Sequence, residues 1–318
     1  MRAARGLSIG GGVALEDEPD APPETRARPG RYTQPVTRLI VNADDFGLTP
    51  GVNRAILELH RAGLLTSTTL MARAGASEQA MEMAWAAPPL AVGCHVVLVD
   101  GKPVLAAEKI PSLIDESTGC FLPRMGAFLR RLFSGRIRAA EIEAETAAQI
   151  GRLQARGLRL THIDTHKHTH MFPGVLRPIL HAARSCGVTR IRNPFEPEWA
   201  LRATSGAGIV RAAEVSILRC LGPVWRRILV QQGFATTDGT IAVAGTGVLD
   251  APMLRRLVQH MPDGTWELVT HPGYNDADLA RVRTRLRASR DVERAALAAL
   301  KEFPALELIS FAALQPQR

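Results

Sequence analysis

Short apolar segments, many of them β-branched, recur along this chain from Leu39 onward and mostly alternate with helical stretches. That alternation restricts the fold more than any other feature. The segments are LIVNAD (39–44), TSTTLMA (66–72), AVGCHVVLV (91–99), LRLTHIDT (158–165), VTRIRN (188–193), TIAVAG (240–245), WELVTH (266–271) and LELISF (306–311). Between them lie helical stretches such as GVNRAILELHRAG, opened by Thr49-Pro50 and closed by Gly63, and IRAAEIEAETAAQIGRLQARG. Buried strands alternating with helices predict an α/β fold with a parallel sheet. Eight such segments in one chain favour a TIM-like (β/α) barrel, regular or distorted, as a single catalytic domain over 37–318. Such a barrel needs roughly 250 residues. A doubly wound open sheet is the alternative. In either fold, chemistry belongs at the C-terminal ends of the strands.

Two stretches depart from the alternation. Residues 1–36 run through Gly10-Gly11-Gly12 and PDAPPETRARPG, with little to bury, and read as a disordered N-terminal extension. The small-x-small cleavage site of a secretory signal is missing there. Residues 200–232 read as a helical lid insertion split at Gly222-Pro223. Val210, Ile217, Leu221, Trp225 and Leu229 recur there at helical spacing, with Arg211, Arg219, Arg226 and Arg227 interleaved. A lid packed on the barrel is the plainer reading. A peripheral membrane contact through anionic lipid is the sharper one.

Composition narrows the function classes. No run approaches the ~18–20 apolar residues of a membrane span. Cys94, Cys120, Cys186 and Cys220 form no C-x-x-C pair, which argues against a zinc ribbon or disulfide framework and fits a reducing, cytoplasmic setting. The formal charge is +8, but aromatics are only 5%, which is poor for stacking bases; nucleic acid is not an expected partner. The basic closing run ARVRTRLRASRDVER reads as a solvated outer helix.

Polar residues collect at the segment ends. Asp44-Asp45 closes the first, His95 lies on the third, Arg190, Arg192 and Asn193 end the fifth, and His271 ends the seventh. The stretch THIDTHKHTHM carries His162, Asp164, His166, His168 and His170, which an extended chain would point to one face. A catalytic divalent ion takes about three protein ligands, so the remaining histidines must orient, pack or touch substrate. Of two adjacent carboxylates, one can bind the ion and the other act as base, although a helix N-cap would account for Asp45. Arg192 and Asn193 suit sugar hydroxyls or an acetyl group; a structural ion pair is the other reading of Arg192.

The segments LIVNADDFGLTPGVNRAI, AVGCHVVLVDGKPV, THIDTHKHTHMFP and THPGY resemble, in order, the YdjC-like carbohydrate deacetylases. These are TIM-barrel-like, metal-dependent enzymes that remove acetyl groups from N-acetylated sugars. The likeness runs from about Arg38 to about Phe311 and is greatest to the hopanoid biosynthesis-associated branch, partly through the N-P-F-E-P segment. That branch implies an N-acetylglucosaminyl lipid as substrate. The resemblance further implies one divalent ion on Asp45, His95 and His166, with Asp44 as general base and His271 as general acid. His168 and His170 then join Arg192 and Asn193 on the substrate side. The family is often described with Mg²⁺, whereas two imidazoles and one carboxylate suit Zn²⁺ better. An enzyme at the inner membrane face, as a homodimer, is compatible with this reading. A generic metal-dependent amidohydrolase or phosphoesterase, or a sugar-lipid-binding protein without turnover, are the alternatives.

Overall fold

The first apolar segment becomes the centre of the sheet because eight consecutive residues, Leu39 to Phe46, are buried. A strand covered on both faces carries no polar-out alternation, which is the mark of an interior parallel strand. The computed structural model describes residues 37–204 and 208–315, with the backbone alone over 209–212. The extension expected over 1–36 and the side chains of Val210 and Arg211 lie outside the described residues.

The strands are β1 (Thr37–Phe46), β2 (Ser67–Leu70), β3 (Ala91–Val96), β4 (Ile114–Asp115), β5 (Cys120–Phe121), β6 (Ile163–Thr165), β7 (Gly239–Ile241), β8 (Gly264–Thr270) and β9 (Glu307–Ile309). β4 and β5 form a small antiparallel hairpin. The other seven make one parallel sheet in the order β6-β3-β2-β1-β8-β7, with β9 also pairing β1. Helices cover it, notably Pro50–Arg61, Ala139–Gln154 and Pro173–Ser185.

The protein is therefore an α/β domain with a curled parallel sheet. One of the eight expected strands is corrected. The segment VTRIRN forms no strand and makes only two single bridges, Ile191 to Ile163 and Arg190 to Ala235. The first reaches β6 and the second the stretch just before β7, neither as a ladder. Pro194 and Pro197 follow at once, and a residue without an N–H cannot continue a ladder.

The stretch 200–232 contains helices Glu198–Ala203, Ile209–Leu218 and Gly222–Gln231, the last starting at the expected Gly222. Trp225 anchors this last helix, its indole Nε1 donating to the His170 carbonyl at 3.0 Å.

Candidate metal centre and active site

The site begins with a defect in β1. Ala43 pairs with Thr68 and Phe46 with Leu70, so β1 carries one extra residue between them. The bulge falls on Asp44 and Asp45, and Asp45 takes a left-handed backbone, φ 64°. A regular strand would send adjacent side chains to opposite faces; here both carboxylates enter one buried cluster. Asp45 is not the helix cap. Thr49 does that, its Oγ1 accepting from Val52 N at 3.2 Å.

Asp45, His95 and His166 converge. Asp45 Oδ1 lies 3.6 Å from His95 Nε2 and 3.5 Å from His166 Nδ1, and those two nitrogens are 3.3 Å apart. A tetrahedral ion with bonds of about 2.1 Å has ligand–ligand edges of about 3.4 Å, so the three atoms fit one face of such a shell. The donor set, one carboxylate and two imidazoles, suits Zn²⁺ or a similar transition ion. His95 is oriented for that task. Its Nδ1 meets Asp164 Oδ1 at 2.7 Å, which leaves Nε2 facing Asp45 and His166. Burial opposes a charge on His95, but Asp164, Asp44 and Asp45 outweigh it and raise its pKa to about 9.

Deeper in, Arg192 has no exposed surface. Its guanidinium grips Asp44 with both terminal nitrogens at 2.7 and 2.6 Å. The same group meets Asp164 at 2.5 Å and Glu267 through Nε at 2.7 Å. Thr69 Oγ1 ties Asp164 to His95, 3.1 Å from each, and Asn42 Nδ2 donates to Asp44 at 2.9 Å. Burial would raise the Asp44 carboxyl, yet Arg192, His95 and His271 hold it well below the usual carboxylate range. On Glu267 the balance reverses: burial pushes it up to about 7 against the pull of Arg192.

His271 sits beside this pair, its Nε2 3.8 Å from Asp44 Oδ2. Glu293 accepts its backbone N–H at 2.6 Å and lies 3.7 Å from Nδ1. Burial lowers the imidazole pKa, and Glu293 more than reverses this, so His271 lies above its ordinary value.

The remaining histidines do not line up as an extended chain would place them. The strand ends at Thr165, and Lys167 and His168 turn left-handed inside a 3₁₀ segment. His162 instead stacks on Phe311, ring centres 3.8 Å apart, over Gly93, where a Cβ would come within 2.6 Å of the ring. His170 is buried between Thr165 Oγ1 and the Arg192 carbonyl, and burial with Arg192 lowers its pKa to about 3. Asn193 spends its amide on the carbonyls of Thr237 and Asp238. Direct sugar contact by Arg192, Asn193 and His170 is thus not what their surroundings offer. For Arg192 the ion-pair reading matches. His168 is half-buried with Nδ1 unpartnered among the described residues, which leaves it able to meet a ligand.

Sequence reasoning missed the working parts of Asp164, Thr69, Glu267, Arg290 and Glu293. A lone glutamate inside WELVT was a usable signal, since a buried strand tolerates a carboxylate only with a partner. The solvated-helix reading of the closing basic run is corrected. Helix Ala288–Ala296 turns Arg290 and Glu293 inward, each 1% exposed.

Over residues 38–305 the chain matches the family described as YdjC-like protein. It is 36% identical over 242 residues to a Brevibacillus brevis carbohydrate deacetylase, covering 75% of this chain and 82% of that one. A mouse (Mus musculus) carbohydrate deacetylase is 32% identical, at 76% and 79% coverage. A crystal structure of an Enterococcus faecalis protein named for cellobiose-phosphate cleavage superposes with a TM-score of 0.66 at 27% identity, covering 87% of this chain and 98% of that one.

Proposed function

The chain belongs to the YdjC-like family, and from that premise we propose that it is a metal-dependent hydrolase removing the N-acetyl group from an N-acetylated amino sugar. The observation that carries this reading is the junction of Asp45, His95 and His166 with the adjacent Asp44–His271 pair. An amide is a poor electrophile and water a weak nucleophile. A divalent ion held by Asp45, His95 and His166 would lower the pKa of water and polarise the acetyl carbonyl. Asp44, held ionised by Arg192, accepts the proton of the attacking water. His271, whose pKa Glu293 raises, gives its proton to the departing amine. Its position 3.8 Å from Asp44 supports a donor and an acceptor that act on one bond.

A two-metal phosphoesterase is disfavoured by Arg192. The second possible ligand group, Asp44, His95 and Asp164, has both of its carboxylates on that guanidinium. The cation there is part of the chain.

The narrower substrate is an N-acetylglucosaminyl lipid of the hopanoid class, met at the inner face of the membrane. Among the described residues no helix is long and apolar enough to cross a bilayer. The helix pair Ile209–Leu218 and Gly222–Gln231 exposes Ile217 (69%), Val224 and Val230 beside the exposed Arg226 and Arg227. An apolar face edged with cations suits an anionic lipid surface.

The test is acetate release from N-acetylglucosamine, a chito-oligosaccharide and an N-acetylglucosaminyl lipid, with Zn²⁺, Mg²⁺, Mn²⁺ or Co²⁺ supplied. Release from the sugars is expected, fastest from the lipid. No release from any, with metal bound, would overturn the deacetylase reading; equal rates would overturn the lipid.

A further inference from the structure

The proposed reaction leaves Arg290 unused, although it is only 1% exposed. Its Nη2 contacts Asp45 Oδ2 at 2.5 Å, while Asp45 Oδ1 faces the two imidazoles. The two oxygens of one carboxylate are thus divided between a guanidinium and the ligand cluster. We propose that Arg290 is a positioning residue that restricts Asp45 to one-oxygen coordination and so sets the geometry of the metal. This rests on the reading of Asp45, His95 and His166 as the ligand set.

Three features hold the guanidinium there. Its Nε donates to the Leu286 carbonyl at 3.1 Å. Three residues on, one turn of the same helix, Glu293 accepts the backbone N–H groups of Gly247 and His271 at 3.2 and 2.6 Å, which fixes the helix against the site. Gly273, in the stretch THPGY, makes room for the arginine stem: a Cβ there would stand 3.0 Å from Arg290 Cδ and 3.1 Å from Val52 Cγ2. The left-handed backbone of Asp45 shows why such a clamp is needed. A carboxylate on a bulge can rotate, and a second free oxygen would fill a coordination position that water and substrate require. Arg290 also leaves Nη1 buried without a hydrogen-bond partner among the described residues. An arginine serving packing alone would gain nothing by burying an unmet donor.

The test replaces Arg290 with Met, which keeps the stem and removes the charge, and with Lys, which restores a single donor. The metal-stripped proteins are titrated with Co²⁺, whose visible absorbance weakens as coordination rises above four. The wild type should show the intense four-coordinate band with one Co²⁺ per chain. Arg290→Met should bind Co²⁺ with a weaker, higher-coordination band, and its acetate release should fall roughly 10–100-fold, as expected for a partner of a metal ligand. Arg290→Lys should lie between them. A purely structural arginine would shift the melting temperature and leave the band of the folded variant untouched; that result overturns the proposal. If Arg290→Met does not fold, a wild-type band in Arg290→Lys with Oδ2 of Asp45 bound to Co²⁺ in its crystal structure overturns it equally, and an intermediate band supports it. The Co²⁺ band is read without turnover. A wild type that binds Co²⁺ but releases no acetate would sink the deacetylase reading alone.

Discussion

Around Arg192, carboxylates from β1, β6 and β8 close on a guanidinium that solvent never reaches. A few ångströms outward, Asp45, His95 and His166 point their donor atoms at a common centre, and His166 keeps 22% of its side chain exposed. Both regions lie at the ends of parallel strands, but the inner one gathers three carboxylates and the outer one a single carboxylate with two imidazoles. In the inner one the facing cation is Arg192; in the outer one Asp45 gives one oxygen to Arg290 and turns the other to two imidazoles, where a metal would be held. The inner region should therefore hold the fold together whatever metal is present and keep Asp44 in place, and the outer one should decide whether metal is bound. Buried charges of this kind are stable only as a matched set, because removing one partner strands the rest.

The sharpest break in that comparison comes from the outer region. His95→Ala or His166→Ala should lose both bound metal and acetate release, with a fold intact by circular dichroism. Asp44→Asn separates the two properties: metal content should stay at wild-type level while turnover falls on the order of 10²–10⁴-fold, the usual worth of a general base. Near-normal turnover in that variant would remove Asp44 from its role.

The inner region is probed by Arg192→Met, which leaves Asp44, Asp164 and Glu267 facing one another. Chemical denaturation should show a loss of about 3–5 kcal/mol, the cost of stranding buried charge. Chelation of the metal from the wild type should cost clearly less. The reverse order would mean that the bound ion, not Arg192, holds the strand ends together.

A smaller effect tests the link between the proton donor and its carboxylate. Burial depresses the His271 imidazole and Glu293 raises it above its ordinary value. Glu293→Gln removes the charge that raises it, so the imidazole loses its proton at lower pH. The alkaline limb of the kcat profile should move to lower pH with the acid limb unchanged. An unmoved alkaline limb would take His271 out of the donor role. Smallest is Thr69→Val, which deletes one hydroxyl shared by His95 and Asp164. A cost of about 0.5–1.5 kcal/mol in stability is expected, with metal still bound.

The outer region was more legible in the sequence than the inner one, for a physical reason. Asp45, His95 and His166 stand at or just beyond the ends of segments whose apolar pattern marks them as strands, and a parallel sheet carries all such ends to one edge. Arg192 could be read from the sequence as a sugar contact or as a structural ion pair, with no partner indicated. Its partners Asp44, Asp164 and Glu267 come from three strands, and nothing in the spacing shows which will meet. Arg290 was hidden in a run of basic residues that looks solvated until the helix phase is known. The His168–His170 stretch misled because strand alternation was extended past Thr165, where Lys167 and His168 turn left-handed. The fifth expected strand failed at VTRIRN, where prolines follow and only single bridges form.

The central claim, that a bound divalent ion on Asp45, His95 and His166 drives sugar N-deacetylation, is tested most directly by one titration. Metal-stripped protein would be restored with measured Zn²⁺ while acetate release from a chito-oligosaccharide is followed, with His166→Ala in parallel. The account predicts no release from stripped protein, activity rising in proportion to Zn²⁺ until about one ion per chain is bound, and none from His166→Ala at any ratio. Release that survives stripping, or that reaches wild-type level in His166→Ala, would contradict it.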